Sequence, residues 1–509
     1  MTGGNDAMTQ LSIAQDASRD PRTGEINGHV AHSSLDEVDR IVGTAASCAR
    51  VLANTSGAQR RSWIDAITTS LLEHGEELAE LADSETGLGL PRLRGEIDKA
   101  VANARFYGEV AVDGAYLDAS TEQIADGTRL TRWNIPVGVV AVFGASNFPF
   151  AYGSFGHDAA SALSAGCPVI VKAHPAHPLL AARISELVTR ALAAAGAPDG
   201  AYATVVGFDA GLRLVDAPQV KAVGFTGSQT GGMALVERGA RRGVPVFAEM
   251  GTVNPVVVAP DAADDLAAIA EGFLGSFTLG SGQYCTKPGL IFVPAGHGFA
   301  DLVRSHFAEL GNQTMLTRGI ADAYIARSHT MAEAAGIDIH DDTIETDGFL
   351  VEPQLLDVGT ADLVPGSPLL EECFGPIALV CEYAEVSEVL DALARLQPSL
   401  AASVFTRSES APDTLALVRL LLGQVGRVAM NAWPTGVLAS WSQQHGGPWP
   451  ATSRSDSTSV GAAALRRFLR PVAVQNMDGA LLTDAFAAHN PWSAPLRVDG
   501  SVHHISQGA

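Results

Sequence analysis

The chain has 509 residues, 47% of them hydrophobic and 17% charged, a globular composition long enough for two or three separate cores. Its 56 acidic and 33 basic side chains give a formal charge of −23, a field that repels nucleic acid and anionic membranes, and no Lys/Arg-rich run counters it. Five cysteines (Cys48, Cys167, Cys285, Cys373 and Cys381) are odd in number and widely spaced, with no CxxC pair or HExxH motif, which argues against a disulfide scaffold and a structural zinc and for a reducing compartment.

The first 30 residues are polar and lack the apolar core of a signal peptide, so a cytoplasmic protein without a membrane partner is expected. Apolar residues at helical spacing predict amphipathic helices over 35–55 and 63–82. From 110 to 136 the pattern turns to short alternating pieces, as in a two-sided antiparallel ribbon. The run 137–143 is continuously apolar and reads as a strand buried on both faces; the wider stretch 137–153 is broken by Asn147 and Pro149 and too polar to span a bilayer. A helix at 158–165, a strand at 168–172, a helix at 179–195 and strands at 203–206, 222–226 and 245–248 follow. This alternation predicts right-handed βαβ units, a parallel sheet and a ligand site at the carboxyl ends of the strands. A second set of apolar strands at 254–258, 289–293 and 402–405 points to a second α/β lobe, with the Asn254-Pro255 step as a hinge. No internal repeat is present, and His503-His504 is too isolated to count as a metal site.

Four polar positions fall at predicted strand ends, where a parallel sheet turns them to one crevice: Asn147, Lys172, Gly227-Ser228 and Glu249. Cys285 sits on the glycine-rich turn Gly280-Ser281-Gly282-Gln283-Tyr284-Cys285, after an apolar run. A thiolate on such a turn can attack a carbonyl, with Glu249 as general base. The turn alone fits equally a cysteine that packs as a small hydrophobe.

The ordered motifs decide between these. Asn147-Phe148-Pro149, Val171-Lys172, Phe225-Thr226-Gly227-Ser228, Glu249-Met250-Gly251, Gly282-Gln283-Tyr284-Cys285 and Glu372-Cys373-Phe374-Gly375-Pro376 resemble those of the NAD(P)-dependent aldehyde dehydrogenase superfamily, and the likeness runs along nearly the whole chain. The resemblance implies an α/β fold with a Rossmann-like cofactor domain (1–109 and 137–252), an α/β catalytic domain (253–437), a return segment (438–469), and a small β ribbon for oligomerisation (110–136 and 470–509) that makes a homodimer or homotetramer. It makes Cys285 the nucleophile, Asn147 the oxyanion donor and Glu249 the base, with Lys172, His174, Gly227, Ser228, Gly251, Glu372 and Phe374 on the cofactor. No metal is implied.

Relatives that prefer NAD tend to carry a glutamate three residues after the cofactor lysine; here that position is Pro175, with His174 beside it, so NADP is expected as the preferred cofactor and NAD as the second. A closer similarity covers Lys172-Ala173-His174-Pro175, Gly251-Thr252-Val253-Asn254-Pro255, Thr286-Lys287-Pro288-Gly289, Asn431-Ala432-Trp433-Pro434 and His445-Gly446-Gly447-Pro448. These are similar to α-ketoglutarate semialdehyde (2,5-dioxopentanoate) dehydrogenases, and fatty aldehyde dehydrogenases share part of the pattern. The resemblance therefore implies oxidation of α-ketoglutarate semialdehyde, with medium or long aliphatic aldehydes as the alternative and a non-catalytic protein on the same fold as a third reading. Phe148, Phe150, Tyr152 and Tyr284 are expected to wall the substrate tunnel. His157 and Lys287 depart from that subgroup, and a substrate with a distal carboxylate calls for an arginine that the sequence does not single out.

Overall fold

The computed structural model describes residues 14–124, 126–307, 310–338, 347–477 and 494–503. Of the segments expected to mediate assembly, 125, 478–493 and 504–509 (His504 included) lie outside the described residues.

Two parallel sheets organise the chain. The first has five strands in the order Tyr202–Val205, Val169–Lys172, Val139–Phe143, Val220–Gly227, Val246–Met250. All neighbouring pairs are parallel, and helices on both faces bury the central strand, which is why Val139–Phe143 is apolar at every position. This strand begins two residues later than the apolar run, because Gly138 has a φ of +115°. The second sheet has six parallel strands in the order Gln354–Val358, Ile377–Tyr383, Leu290–Pro294, Pro255–Val258, Ser399–Phe405, Val425–Met430.

The Asn254-Pro255 step lies between the two sheets, but its geometry is that of a clamp. Asn254 is fully buried with a φ of 55°, and its amide nitrogen donates to the carbonyls of Thr252, Cys285 and Lys287 at 3.0, 2.8 and 3.1 Å. Its Oδ1 accepts from Ala401 N–H at 3.1 Å and Thr252 Oγ1 at 3.0 Å.

The third layer is a five-stranded sheet. Arg129–Pro136 pairs antiparallel with Ala119–Gln123 on one side and with Leu469–Gln475 on the other, and Leu496–Val498 and Ser501–His503 extend it. The ribbon therefore starts at 119 and not at 110. Helix Leu90–Asp113 continues through 110–113 because Val110 and Ala111 are buried on its core face, and it stops at Gly114 in the left-handed conformation.

Apolar periodicity also misled the reading of 63–82, where two helices occur, Gly57–Glu73 and Gly75–Thr86. His74, at φ −106°, ends one and opens the next, and its ring nitrogen bonds the Ser70 carbonyl at 2.8 Å. Ser34 and Ser56 cap helices Leu35–Ala53 and Gly57–Glu73 through Glu37 N–H and Gln59 N–H.

Residues 438–469 run back to the first sheet. Met250 N–H donates to Ala451 O at 2.9 Å, and Ala248 N–H to Ser453 Oγ at 2.9 Å. Arg467 then pairs with Asp158 at 2.7 Å, both buried; removing one partner of such a pair costs about 3–5 kcal/mol. Among the described residues no helix is long and apolar enough to cross a membrane.

Candidate active site

Helix Leu266–Thr278 anchors the Cys285 turn. Phe273 and Phe277 on this helix are fully buried, and burial of such a ring contributes roughly 1.5–3 kcal/mol. The turn then crosses the 372–376 loop so closely that a Cβ at Gly282 (φ +66°) would stand 2.1 Å from the Gly375 carbonyl oxygen; only glycine fits there. Asn254 holds the Cys285 carbonyl from behind. The thiol is thus fixed by an apolar helix, a glycine crossing and one buried amide.

Glu249 ends the Val246–Met250 strand and faces Cys285. Between them stands His445, whose Nε2 is 2.8 Å from Glu249 Oε1 and 3.6 Å from Cys285 Sγ; ligating atoms of all three lie within 4.8 Å of one another. Ser459 Oγ donates to Glu249 Oε2 at 2.5 Å. Burial alone pushes the Glu249 carboxyl up, but the His445 imidazole and the Ser459 hydroxyl outweigh it and hold the carboxyl below its usual range. Glu249 Oε1 has His445 Nε2 2.8 Å away but no well-aligned hydrogen bond, so this carboxylate oxygen keeps capacity to accept a proton. The Cys285 thiol is pushed well up, first by burial and then by the negative Glu249, so attack requires a neighbour to take its proton. His445 and Glu249 are the two groups at hand. Sequence reasoning placed His445 only in a phrase of resemblance and missed Ser459; both come from a loop that is distant in sequence and is folded back by contacts with the Glu249 strand.

Asn147 lies in the loop after Val139–Phe143, buried, with its amide nitrogen donating to the Gln283 carbonyl at 2.7 Å. One of its two N–H bonds is used there, and no partner for the other is found among the described residues; Asn147 and Cys285 line the same cavity. Two residues one turn apart on helix Leu90–Asp113 set this loop: Arg92 Nη2 donates to Asn147 O at 2.8 Å, and Glu96 Oε1 accepts from the N–H groups of Phe150 and Ala151 at 2.9 and 3.0 Å. Neither was visible as a site residue, because an i, i+4 Arg–Glu pair reads as an ordinary solvated helix face.

Of the four aromatic residues expected to wall a tunnel, Phe148, Tyr152 and Tyr284 form one group. The Phe148 ring is 4.8 Å from Tyr284 and 5.7 Å from Tyr152, and the Arg92 guanidinium stacks over Phe148 and Tyr284 at 5.3 and 5.0 Å. Phe150 is not with them: it is buried in the main apolar core, turned inward by the Glu96 contact. His157 sits behind Tyr152, ring to ring at 4.8 Å, held by Tyr107 Oη at 2.8 Å, and burial pushes its imidazole down to about 3, so it is a neutral support.

On the other side of Cys285 a cavity of about 790 Å³ opens at the carboxyl ends of the first sheet. Asn147, His174, Gly227, Ser228, Glu249, Gly251, Glu372 and Phe374 line it, together with the half-buried Cys285. Ser228 caps helix Gln229–Ala240 through Gly231 N–H, so a helix amino terminus faces the cavity, as a pyrophosphate requires. Glu372 reaches across to Gly251, where a Cβ would stand 1.9 Å from its Oε2. Its carboxyl is pushed up to about 7 by burial, with Lys287 opposing. Lys287 is itself buried behind Glu372 and donates to the carbonyls of Cys373 and Ile377 at 2.9 and 2.7 Å.

Lys172 does not line the cavity; it is half-buried beside it, against Gly211, and feels the charge of Asp16. His174 does line it, but burial, with His177 and Lys172 nearby, holds its ring well below its usual range, and its Nδ1 accepts Ala176 N–H at 3.1 Å. It is a neutral hydrogen-bonding group and not a cation. Helix terminus, glycine cradle and carboxylate together fit a dinucleotide.

Residues 12–448 match the aldehyde dehydrogenase family, and the chain belongs to it. It is thus an NAD(P)-dependent aldehyde oxidoreductase. It is 40% identical over 462 residues to Alpha-ketoglutaric semialdehyde dehydrogenase 2 of Azospirillum brasilense, covering 87% of each chain, and 35% identical over 484 residues to Alpha-ketoglutaric semialdehyde dehydrogenase of Acinetobacter baylyi, covering 92% of each. The fold is shared with an E. coli NADP-dependent enzyme (TM-score 0.77, 24% identity, 91% of this chain and 94% of that one) and with a Sinorhizobium meliloti 1021 structure complexed with NAD (TM-score 0.79, 20% identity, 92% and 95%).

Proposed function

We propose that the protein oxidises α-ketoglutarate semialdehyde to α-ketoglutarate through a thioester on Cys285. The observation that carries the chemistry is the cluster of Cys285, His445 and Glu249, two of which line the cavity of about 790 Å³, and the names of the two relatives support the substrate. The Cys285 thiol loses its proton to His445, or to Glu249, which releases it to solvent before the water step, and the thiolate attacks the aldehyde carbon. The free N–H of Asn147 and the Cys285 backbone N–H stabilise the oxyanion; loss of one such donor typically costs about 10²–10³ in rate. The bound cofactor supplies the hydride acceptor. Glu249 then takes a proton from the water that cleaves the thioester. Glu372 receives the ribose hydroxyls, and Phe374 packs at the nicotinamide end of the cavity.

NADP is the preferred cofactor in this reading. Support comes from Pro175, which leaves no carboxylate to repel a 2′-phosphate, and from Lys172 at the adjacent strand end; His174 contributes hydrogen bonding without charge. Residues 1–109 and 137–252 serve the cofactor, 253–437 carry the nucleophile, and 438–469 return to complete the base. The third sheet mediates assembly into a homodimer or homotetramer, since Leu469–Gln475 is an edge strand with no strand paired to its outer side among the described residues. A cytoplasmic site suits five unpaired cysteines.

The test is steady-state reduction of NADP and NAD with α-ketoglutarate semialdehyde, succinate semialdehyde, hexanal and decanal. Highest kcat/KM with the five-carbon keto acid and NADP is expected. Preference for decanal overturns the substrate, and preference for NAD overturns the cofactor.

A further inference from the structure

A substrate that carries a carboxylate must find a cation inside a protein whose net charge of −23 repels it. That cation has to lie on the side of Cys285 away from the cofactor cavity, near the Phe148, Tyr152 and Tyr284 group. We infer that Arg427 is the residue that binds the distal carboxylate of the substrate.

Arg427 projects from the edge strand Val425–Met430 of the second sheet and is half-buried. Among the described residues its hydrogen-bond partners are two backbone carbonyls, those of Pro434 and of Gly436 (3.1 Å), both on Nη2, and no carboxylate pairs with it. In a chain with 56 acidic side chains, a half-buried guanidinium without a counter-ion leaves Nε and Nη1 for an anion from outside. Its position relative to the nucleophile follows from a short relay. Arg427 holds the Gly436 carbonyl, and Gly436 N–H donates to Thr286 Oγ1 at 3.3 Å, on the residue next to Cys285. The guanidinium also lies within the electrostatic reach of Cys285 and Tyr152, while it is absent from the lining of the cofactor cavity.

Three other cations near the centre, Arg92, Arg467 and Lys287, are each held in place by other contacts. Arg92 is stacked over Phe148 and Tyr284, with Nη2 on Asn147 O, while its Nη1 is buried near Gly280 without a hydrogen-bond partner. Arg467 is paired with Asp158. Lys287 is spent on two carbonyls behind Glu372, on the cofactor side. Arg92 also keeps an unpartnered donor, but its guanidinium is committed to two rings and to the Asn147 loop, whereas among the described residues Arg427 is held by two backbone carbonyls alone.

This assignment rests on the substrate reading above, and the experiment separates the two. Wild type, Arg427→Met and Arg427→Lys are assayed with α-ketoglutarate semialdehyde and with pentanal, a five-carbon aldehyde without a carboxylate; glutarate is titrated as a competitive inhibitor. Arg427→Met is expected to lower kcat/KM for the keto acid by about a hundredfold, mostly through KM, to weaken glutarate inhibition to the same degree, and to leave pentanal within about twofold. Arg427→Lys is expected to restore part of the loss for the keto acid alone. Equal loss with both substrates overturns the assignment in favour of a loop-holding role for Arg427, and unchanged selectivity overturns it in favour of another cation. A wild-type enzyme that prefers pentanal overturns the substrate reading itself, and Arg427 with it.

Discussion

His445 Nε2 stands 2.8 Å from Glu249 Oε1 and 3.6 Å from Cys285 Sγ, so one imidazole lies beside both the carboxylate and the thiol. Its effect on Glu249 has a definite sign. Burial raises that carboxyl, and His445 is the largest influence lowering it. Replacing His445 by Asn leaves burial opposed mainly by Ser459, so the Glu249 carboxyl rises. The acid limb of the kcat profile, set by a base that must be ionised, is expected to move to higher pH in His445→Asn, with activity at neutral pH reduced by about 10²-fold or less. A pH–rate profile on the thioester-hydrolysis step checks this; an unmoved acid limb would show that His445 does not tune the base.

Glu372 titrates at about 7, raised by burial and restrained by Lys287. Below that pH the carboxyl is protonated, and above it the group is a carboxylate and a better acceptor for ribose hydroxyls. Cofactor affinity is therefore expected to improve between about pH 6 and 8, by roughly three- to tenfold. Lys287→Met removes the charge that favours ionisation and moves the transition upward. Equilibrium cofactor binding, followed by quenching of protein fluorescence across this range, reads the shift directly.

Gly251→Ala places a methyl group 1.9 Å from the present position of Glu372 Oε2, so the carboxylate must move. The expected result is a cofactor KM raised about tenfold or more, with a stability loss of about 1–3 kcal/mol from overpacking. Cofactor titration and urea denaturation separate the two effects.

Asn254→Ala removes the amide that holds the Thr252, Cys285 and Lys287 carbonyls and places alanine at a φ of 55°. A loss of about 2–4 kcal/mol in unfolding free energy is expected, together with lower kcat. Asn254→Gly relieves the backbone strain and keeps the hydrogen-bond loss, so the difference between the variants in urea midpoint measures the strain alone.

The parallel strands were legible because burial on both faces makes them apolar throughout, as in Val139–Phe143 and Pro255–Val258. Asn147, Glu249 and Cys285 were legible because each sits in a short motif at a strand end or glycine turn. What was not legible depends on contacts across long sequence separations. Ser459 reaches Glu249 from 210 residues away and His445 reaches Cys285 from 160, with nothing local to mark either. The helix break at His74 was hidden because apolar spacing continues on both sides of it. Phe150 appeared to belong with its aromatic neighbours until the Glu96 contact with its N–H showed which way the loop turns.

The strand Leu469–Gln475 closes against Arg129–Pro136, and the segment just before it delivers His445 and Ser459 to Glu249. During synthesis, a chain that has emerged as far as residue 438 already carries Cys285, Asn147 and Glu249, but Glu249 sits without His445 and Ser459, and Arg129–Pro136 lacks one of its neighbours. Such closure between distant segments is slow and leaves sheet edges open in the meantime. A chain cut short before residue 445 therefore lacks both side chains that flank the Glu249 carboxylate, His445 and Ser459.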